Sequence, residues 1–240
     1  MKLFSLCFIL CSFFISCNSN PEEEFTGSTQ RLAGPTLDTI PISPANPYDT
    51  TGQVYYELLT AYYQGELQPF TLTGIITNCT AIANETPSFL ALTKEVPYVF
   101  TASDRVVSIV SQPESCLGTT IDATLDSTAA KSSLTDFVGS VLALTDKEDA
   151  YAPIYSYIVA YEDRVLRSTA FTDRDKRIIL MTTSIVRHTV YAKKKKPKKN
   201  TDPDWTLLIG NITAALDGAG VGADEAVLRA LVTGIAANTP

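Results

Sequence analysis

Residue types that do chemistry are sparse in this chain, and their spacing decides most of what they could do. His188 is its one histidine. An imidazole metal site would have no second ligand of that kind, and no CxxC or HExxH spacing suggests zinc. Ser184 stands four residues before His188, and Ser168 and Asp173 lie upstream, so a serine nucleophile with a histidine base and an acid can be drawn. A helix carrying Ser184 and His188 on one face presents neither an exposed elbow nor an oxyanion hole. His188 therefore reads as structural, near the basic end of its helix, where a positive charge would suit the dipole. The carboxylate pairs Glu148-Asp149, Glu162-Asp163 and Asp173-Asp175 could divide acid and base roles in glycoside hydrolysis, but on helices of an acidic chain they read as solvated faces. Gly218-Ala219-Gly220-Val221-Gly222-Ala223 spells a dinucleotide fingerprint without the strand that must precede it, and reads as a helix-breaking bend. Nothing in this inventory asks for a metal or a cofactor, and it favours a role other than catalysis.

The densest chemical feature is basic. Lys193, Lys194, Lys195, Lys196, Lys198 and Lys199 crowd around Pro197 and are six of the 19 basic residues, set against 26 acidic ones and a net charge of -7. They would contact a polyanion such as lipid phosphate, acidic polysaccharide or a partner's acidic face, or else form a solvated helix end and loop. With a pI near 4.8, general nucleic-acid binding is not expected. Eleven tyrosines, among them Tyr55, Tyr56, Tyr62, Tyr63, Tyr151, Tyr155, Tyr157 and Tyr161, could line an interaction surface, although core packing of their rings is the commoner use.

The elements that must hold these residues are mostly helical. Of 240 residues, 45% are hydrophobic and 19% charged, enough for a core that buries roughly 70% of the unfolded surface. Val54, Leu58, Ala61 and Tyr62 follow a helical period, with Thr51 as N-cap. Leu134, Phe137, Val138, Val141 and Leu142 repeat it, as do Ile154, Tyr157, Ile158, Tyr161 and Val165 after Pro153. Thr172-Asp173-Arg174-Asp175 is a capping-box relative opening a helix through Ile178, Met181, Ile185 and Thr189. Residues 69–120 mix β-branched and aromatic residues with Pro87, Pro97 and Pro113, and fit a short hairpin or irregular helices. Near the C-terminus, Gly210, Ala214 and Gly218, then Ala226, Ala230 and Gly234, form two small-residue stripes on either side of the Gly218–Gly222 bend. Such stripes let helix backbones approach closely, as in membranes. Asp217, Asp224, Glu225 and Arg229 interrupt both segments, so a soluble helical hairpin docked on the domain is the preferred reading, with a membrane-active hairpin as the alternative. The expected fold is mainly α: a bundle-like domain with an irregular or short β-hairpin N-terminal part and a C-terminal helical hairpin.

Lys2 and the apolar run Leu3 to Ile15 have the form of a secretory signal, and the run falls short of the about 20 residues a membrane span needs. Phe14-Ile15-Ser16-Cys17 resembles the lipobox of bacterial lipoproteins, with Phe14 in place of the usual Leu. That resemblance implies cleavage before Cys17, lipidation of Cys17 and attachment to a membrane through it. Glu22, Glu23 and Glu24 resemble the surface-export signal of Bacteroidota-type lipoproteins, which implies an outer-membrane, cell-surface location, the periplasmic face being the alternative. The sequons at Asn78, Asn84 and Asn211 carry no weight in such a protein. Cys79 and Cys116 would meet an oxidising compartment and are expected to pair, closing a loop of about 37 residues worth about 4 kcal/mol. The expected organisation is a signal peptide over 1–16, the lipidated Cys and a Pro-rich tether over 17–50, a mainly helical domain over 51–200, and the hairpin over 201–240. Function is expected to be that of a lipid-anchored binding or interaction module. A toxin-related protein using its hairpin and an unrecognised hydrolase are the alternatives.

Overall fold

The computed structural model describes residues 40–65, 69–94, 96–195 and 204–239. The signal, Cys17 and most of the tether lie outside them, as do Lys196, Lys198 and Lys199. The described residues form ten helices and no strand: α1 (Asp49–Gln64), α2 (Leu72–Glu85), α3 (Pro87–Leu90), α4 (Ser103–Ser111), α5 (Pro113–Thr124), α6 (Thr128–Lys147), α7 (Tyr151–Arg167), α8 (Asp173–Lys195), α9 (Asp204–Ala219) and α10 (Ala223–Ala237). The mainly helical fold and the C-terminal hairpin are as the periodicity predicts. Of the two forms open for residues 69–120, the short helices α2 to α5 are the ones present.

The bundle is organised around α8. From Ile178 to Tyr191 every residue but Thr189 is buried. Helices α1, α6, α7, α9 and α10 all pack on it. The predicted stripe of Ile178, Met181 and Ile185 is thus part of a helix enclosed on all sides, the arrangement of a central core helix rather than of an amphipathic surface one. Its start is the predicted capping box in atomic form. The Thr172 hydroxyl accepts from the Asp175 amide at 3.0 Å, and the Asp175 carboxylate accepts from the Thr172 amide at 3.3 Å. The same carboxylate accepts the amides of Asp126 at 2.7 Å and Ser127 at 3.2 Å, binding the entrance of α6 to that of α8. Burial would raise the Asp175 pKa, but these hydrogen bonds outweigh it and hold the carboxyl below its ordinary value.

Two boundaries differ from expectation. Helix α1 starts at Asp49, with Tyr48 at the N-cap and no side-chain cap, while Thr51 is buried inside the helix. Ser43, Asn46 and Asp49 are buried as well, so the chain joins the body before residue 50 and the segment 41–48 is a strap laid on α7 and α8. Polar residues mark it as tether-like in sequence, yet those polar groups are what dock it.

The C-terminal hairpin belongs to the same core. Leu208, Ile209, Ile212, Ala215 and Leu216 of α9 and Val227, Leu228, Ala230, Leu231 and Val232 of α10 cluster with the buried faces of α1, α2 and α8. Its bend depends on a glycine. A Cβ at Gly218 would stand 2.4 Å from the Glu225 carbonyl oxygen and 2.5 Å from the Ala226 amide nitrogen, so the backbone of α10 crosses where a side chain would be. An ionic ladder closes the bend from outside: Asp217 binds Arg105 at 2.9 Å and Arg229 at 2.5 Å, Arg229 binds Glu225 at 2.6 Å, and the Tyr98 hydroxyl donates to Glu225 at 2.7 Å.

Gly218→Ala is expected to destabilise by about 1–3 kcal/mol, because the obstructing atoms are backbone. Gly139→Ala, in the exposed interior of α6 with nothing within 4 Å of the added carbon, is expected to stabilise by about 0.5–1 kcal/mol. Urea unfolding of the two variants reads both signs; equal shifts would contradict the packing described.

Candidate functional site

Besides the ionic ladder at the hairpin bend, two places among the described residues gather polar chemistry: an enclosed ion cluster on α8, and an open groove between α6 and α7. The cluster centres on Arg187, whose side chain is fully buried. Its guanidinium pairs with Asp49 and lies 3.6 Å from the Glu162 carboxylate, and it donates to the Pro41 carbonyl at 3.3 Å. Asn46 donates to Glu162 at 2.9 Å and to the Leu180 carbonyl at 3.0 Å, and Thr183 donates to Glu162 at 3.0 Å. Tyr155 donates to the Ile42 carbonyl at 2.7 Å. Burial raises the Glu162 pKa above its ordinary value, against the opposing charge of Arg187. Strap, α1, α7 and α8 thus meet on one guanidinium.

Ser184 and His188 lie beside this cluster, and their geometry is that of a structural pair. The Ser184 hydroxyl donates to the Asp49 carbonyl at 2.9 Å and accepts from the Gly52 amide at 3.0 Å. His188 Nδ1 faces the Ser184 carbonyl at 2.9 Å, so that nitrogen carries the proton and the ring does not touch the hydroxyl. Burial, reinforced by the adjacent Arg187 charge, pushes the His188 pKa down to about 3. The expected positive charge at the basic end of α8 is therefore corrected: desolvation outweighs the helix dipole and the ring is neutral at pH 7. Ser168 closes α7 and Asp173 opens α8, and neither has a hydrogen bond to His188.

The other residues singled out in the sequence are separated. Lys194 donates to the Thr145 carbonyl at 2.8 Å and the Glu148 carbonyl at 2.6 Å, binding the C-terminal end of α6. Lys195 lies 5.6 Å from the Tyr191 ring centre. Lys193 shares their helical turn. Cys79, buried on α2, and Cys116, half-buried on α5, are both free thiols, in place of the expected bridge. Burial pushes the Cys79 thiol up to about 12, and the Cys116 thiol faces the Ser108 carbonyl at 3.5 Å. Asn84 clasps the Tyr98 backbone through both its amide nitrogen and its oxygen, and Asn211 binds the Tyr55 hydroxyl and the Ala230 carbonyl, each at 3.0 Å. Among the described residues, no group of three or more His, Cys, Asp or Glu is placed to hold a metal, and no helix is long and apolar enough to cross a membrane.

The groove has a different character. It opens to solvent over a volume of about 420 Å³, with Ser132, Ser133 and Asp136 on one side and Tyr157, Tyr161 and Arg164 on the other. Phe137 lies beneath, near-parallel to Tyr161 at 4.2 Å and to Tyr157 at 6.0 Å between ring centres. The Arg164 guanidinium sits 5.5 Å from the Tyr161 ring centre, and Ser133 donates to the Tyr161 hydroxyl at 3.2 Å. Burial pushes that hydroxyl's pKa up to about 12. Sequence reasoning singles out Tyr157 and Tyr161 but not Asp136, Ser132, Ser133 or Arg164, because residues of two helices about 25 positions apart share no local pattern. It also misses Arg187, although Arg187 is the one charged residue between Ile178 and Ala192 and so the one that had to be neutralised inside.

No protein-family model, curated protein or solved structure matches the chain.

Two outcomes test the cluster. Arg187→Leu strands two buried carboxylates and is expected to cost about 3–5 kcal/mol in denaturant unfolding. Adding Asp49→Asn and Glu162→Gln to it should recover part of that loss; strict additivity would show that the three groups do not act together. For His188 the folded pKa is depressed, so its contribution is present above pH 6.5 and is lost as pH falls towards 3. Unfolding free energy should decline through that window by up to about 1.4 kcal/mol per pH unit from this residue. His188→Asn, which keeps a donor for the Ser184 carbonyl but has no titrating ring, should flatten the decline between pH 6 and 4.

Proposed function

We propose that this is an exported protein, held at the outer membrane by lipid on Cys17, whose helical body works there as a binding module and not as a catalyst. The anchor rests on the lipobox-like Phe14-Ile15-Ser16-Cys17 and the Glu22–Glu24 cluster. The observation that carries the binding role is the α6–α7 groove, which sets a half-buried aromatic ring, two serine hydroxyls and two exposed charges around one solvent-open recess. The buried cluster is a poor candidate for chemistry on a ligand, because Arg187, Glu162 and Ser184 are enclosed and their polar atoms hold the strap and α1. A membrane-active role for the hairpin is not favoured: its apolar side chains are shared with α1, α2 and α8, so reaching a bilayer would require opening the core.

Intact mass of the protein purified from membranes tests the anchor. A chain beginning at Cys17 and carrying acyl groups is expected, with Cys17→Ala moving the protein to the soluble fraction. An unmodified mature N-terminus would overturn the anchor.

A further inference from the structure

If the body is a binding module, the chemistry of the α6–α7 groove narrows its ligand. We propose that the groove receives a neutral pyranoside, one sugar ring of an oligosaccharide, seated on Tyr157 with its hydroxyls directed at Asp136, Arg164, Ser132 and Ser133; this assignment rests on the binding-module reading. The aromatic surface available to a ligand is that of Tyr157. Phe137 and Tyr161 are only 1% and 3% exposed, and Tyr161 is already stacked by Phe137 and Arg164, whereas Tyr157 is half-buried. An aromatic face of this kind suits the axial C–H face of a pyranose, which buries apolar area without asking for a charge.

The polar groups select against ionic ligands. Asp136 and Arg164 are exposed, have no ion-pair partner among the described residues and are not paired with each other, so the rim offers one carboxylate and one guanidinium of cancelling charge. An anion would meet Asp136 and a cation would meet Arg164. A sugar hydroxyl both donates and accepts, so adjacent hydroxyls can give to the carboxylate and take from the guanidinium at once, with charge-assisted bonds on each side. Ser132, and Ser133 through its remaining capacity beyond the Tyr161 contact, add groups of the same dual character. The recess is about the size of a small-ligand site but stays open, which fits one ring of a longer chain running out over the surface.

The test uses the full chain in a non-glycosidic detergent on an array of neutral glycans, anionic glycans and peptides. Expected is binding to neutral glycans that falls at least tenfold in Tyr157→Ala and in Asp136→Asn, the latter with melting temperature unchanged, and that persists in 0.5 M NaCl. No binding to neutral glycans, or binding that both substitutions leave unchanged, overturns the proposal. If anionic glycans or peptides bind instead and are lost in the same two variants, the pyranoside assignment falls while the binding-module reading stands. If no probe on the array depends on these residues, both fall.

Discussion

One guanidinium constrains the rest of this fold. Arg187 sits on a helix whose flanking residues face protein in every direction, so its charge has no solvent side to turn to. Taking an ion out of water costs several kcal/mol even after relaxation, and attraction to a carboxylate offsets it only when the remaining donors are also engaged. Asp49 and the Pro41 carbonyl engage its terminal nitrogens, Glu162 stands 3.6 Å away and Nε keeps no hydrogen-bond partner, so the offset is incomplete; these partners come from α1, α7 and the strap. The chain ahead of α1 must therefore fold back over α8. The gain is better understood as register than as net stability, since a well-packed apolar trio could enclose α8 without specifying which strap residue lies against which turn.

The rest of the α8 surface is closed by a different means. Helix α1 comes so near that a Cβ at Gly52 would stand 2.4 Å from the Ser184 carbonyl and from His188 Nδ1, and the Gly52 amide uses the Ser184 hydroxyl as its acceptor. The hairpin α9–α10 presents Ala214, Ala215, Ala226 and Ala230, all fully buried. Small residues trade side-chain volume for close backbone approach, which is how shorter helices surround one long one without voids. His188 is neutral because of this closeness: with α1 pressed against it, no water reaches the ring to support a charge.

These features are unequally legible in the sequence. Helices α6, α7 and α8 and the bend at Gly218 follow from periodicity and glycine placement, and the Thr172–Asp175 capping box is readable to the atom, because all of these are set by neighbours a few residues away. The strap is not. Asn46 finds its acceptor 116 residues later in Glu162, and Tyr155 finds the Ile42 carbonyl 113 residues earlier, so the local composition of 41–48 is that of a linker although its partners make it structure. The cysteines mislead for a related reason. An oxidising compartment would favour a bridge between Cys79 and Cys116, but the two thiols are free on separate helices, Cys79 buried on α2 and Cys116 half-buried on α5.

The enclosed cluster and the open groove are linked through α7. Glu162 is held by Asn46, Thr183 and Arg187, which fixes the rotation of α7 about its axis. Tyr157, Tyr161 and Arg164 follow one another at i, i+4 and i+7, along a face whose middle residue, Tyr161, is one position, about 100°, from Glu162. A helix locked at Glu162 can hold that face steady towards α6 without help from the groove itself. Such a recess loses little freedom on accepting a ligand, which favours binding. Under the proposed pyranoside reading, so open a recess leaves water competing for each sugar hydroxyl, and a low single-site affinity is expected. On a soluble protein that combination would serve poorly. Under the proposed lipid anchor, many copies on one membrane would meet a repeating ligand together; effective concentration would then multiply weak sites by roughly 10²–10⁴, and an open groove would become an advantage because a long chain could enter and leave it laterally.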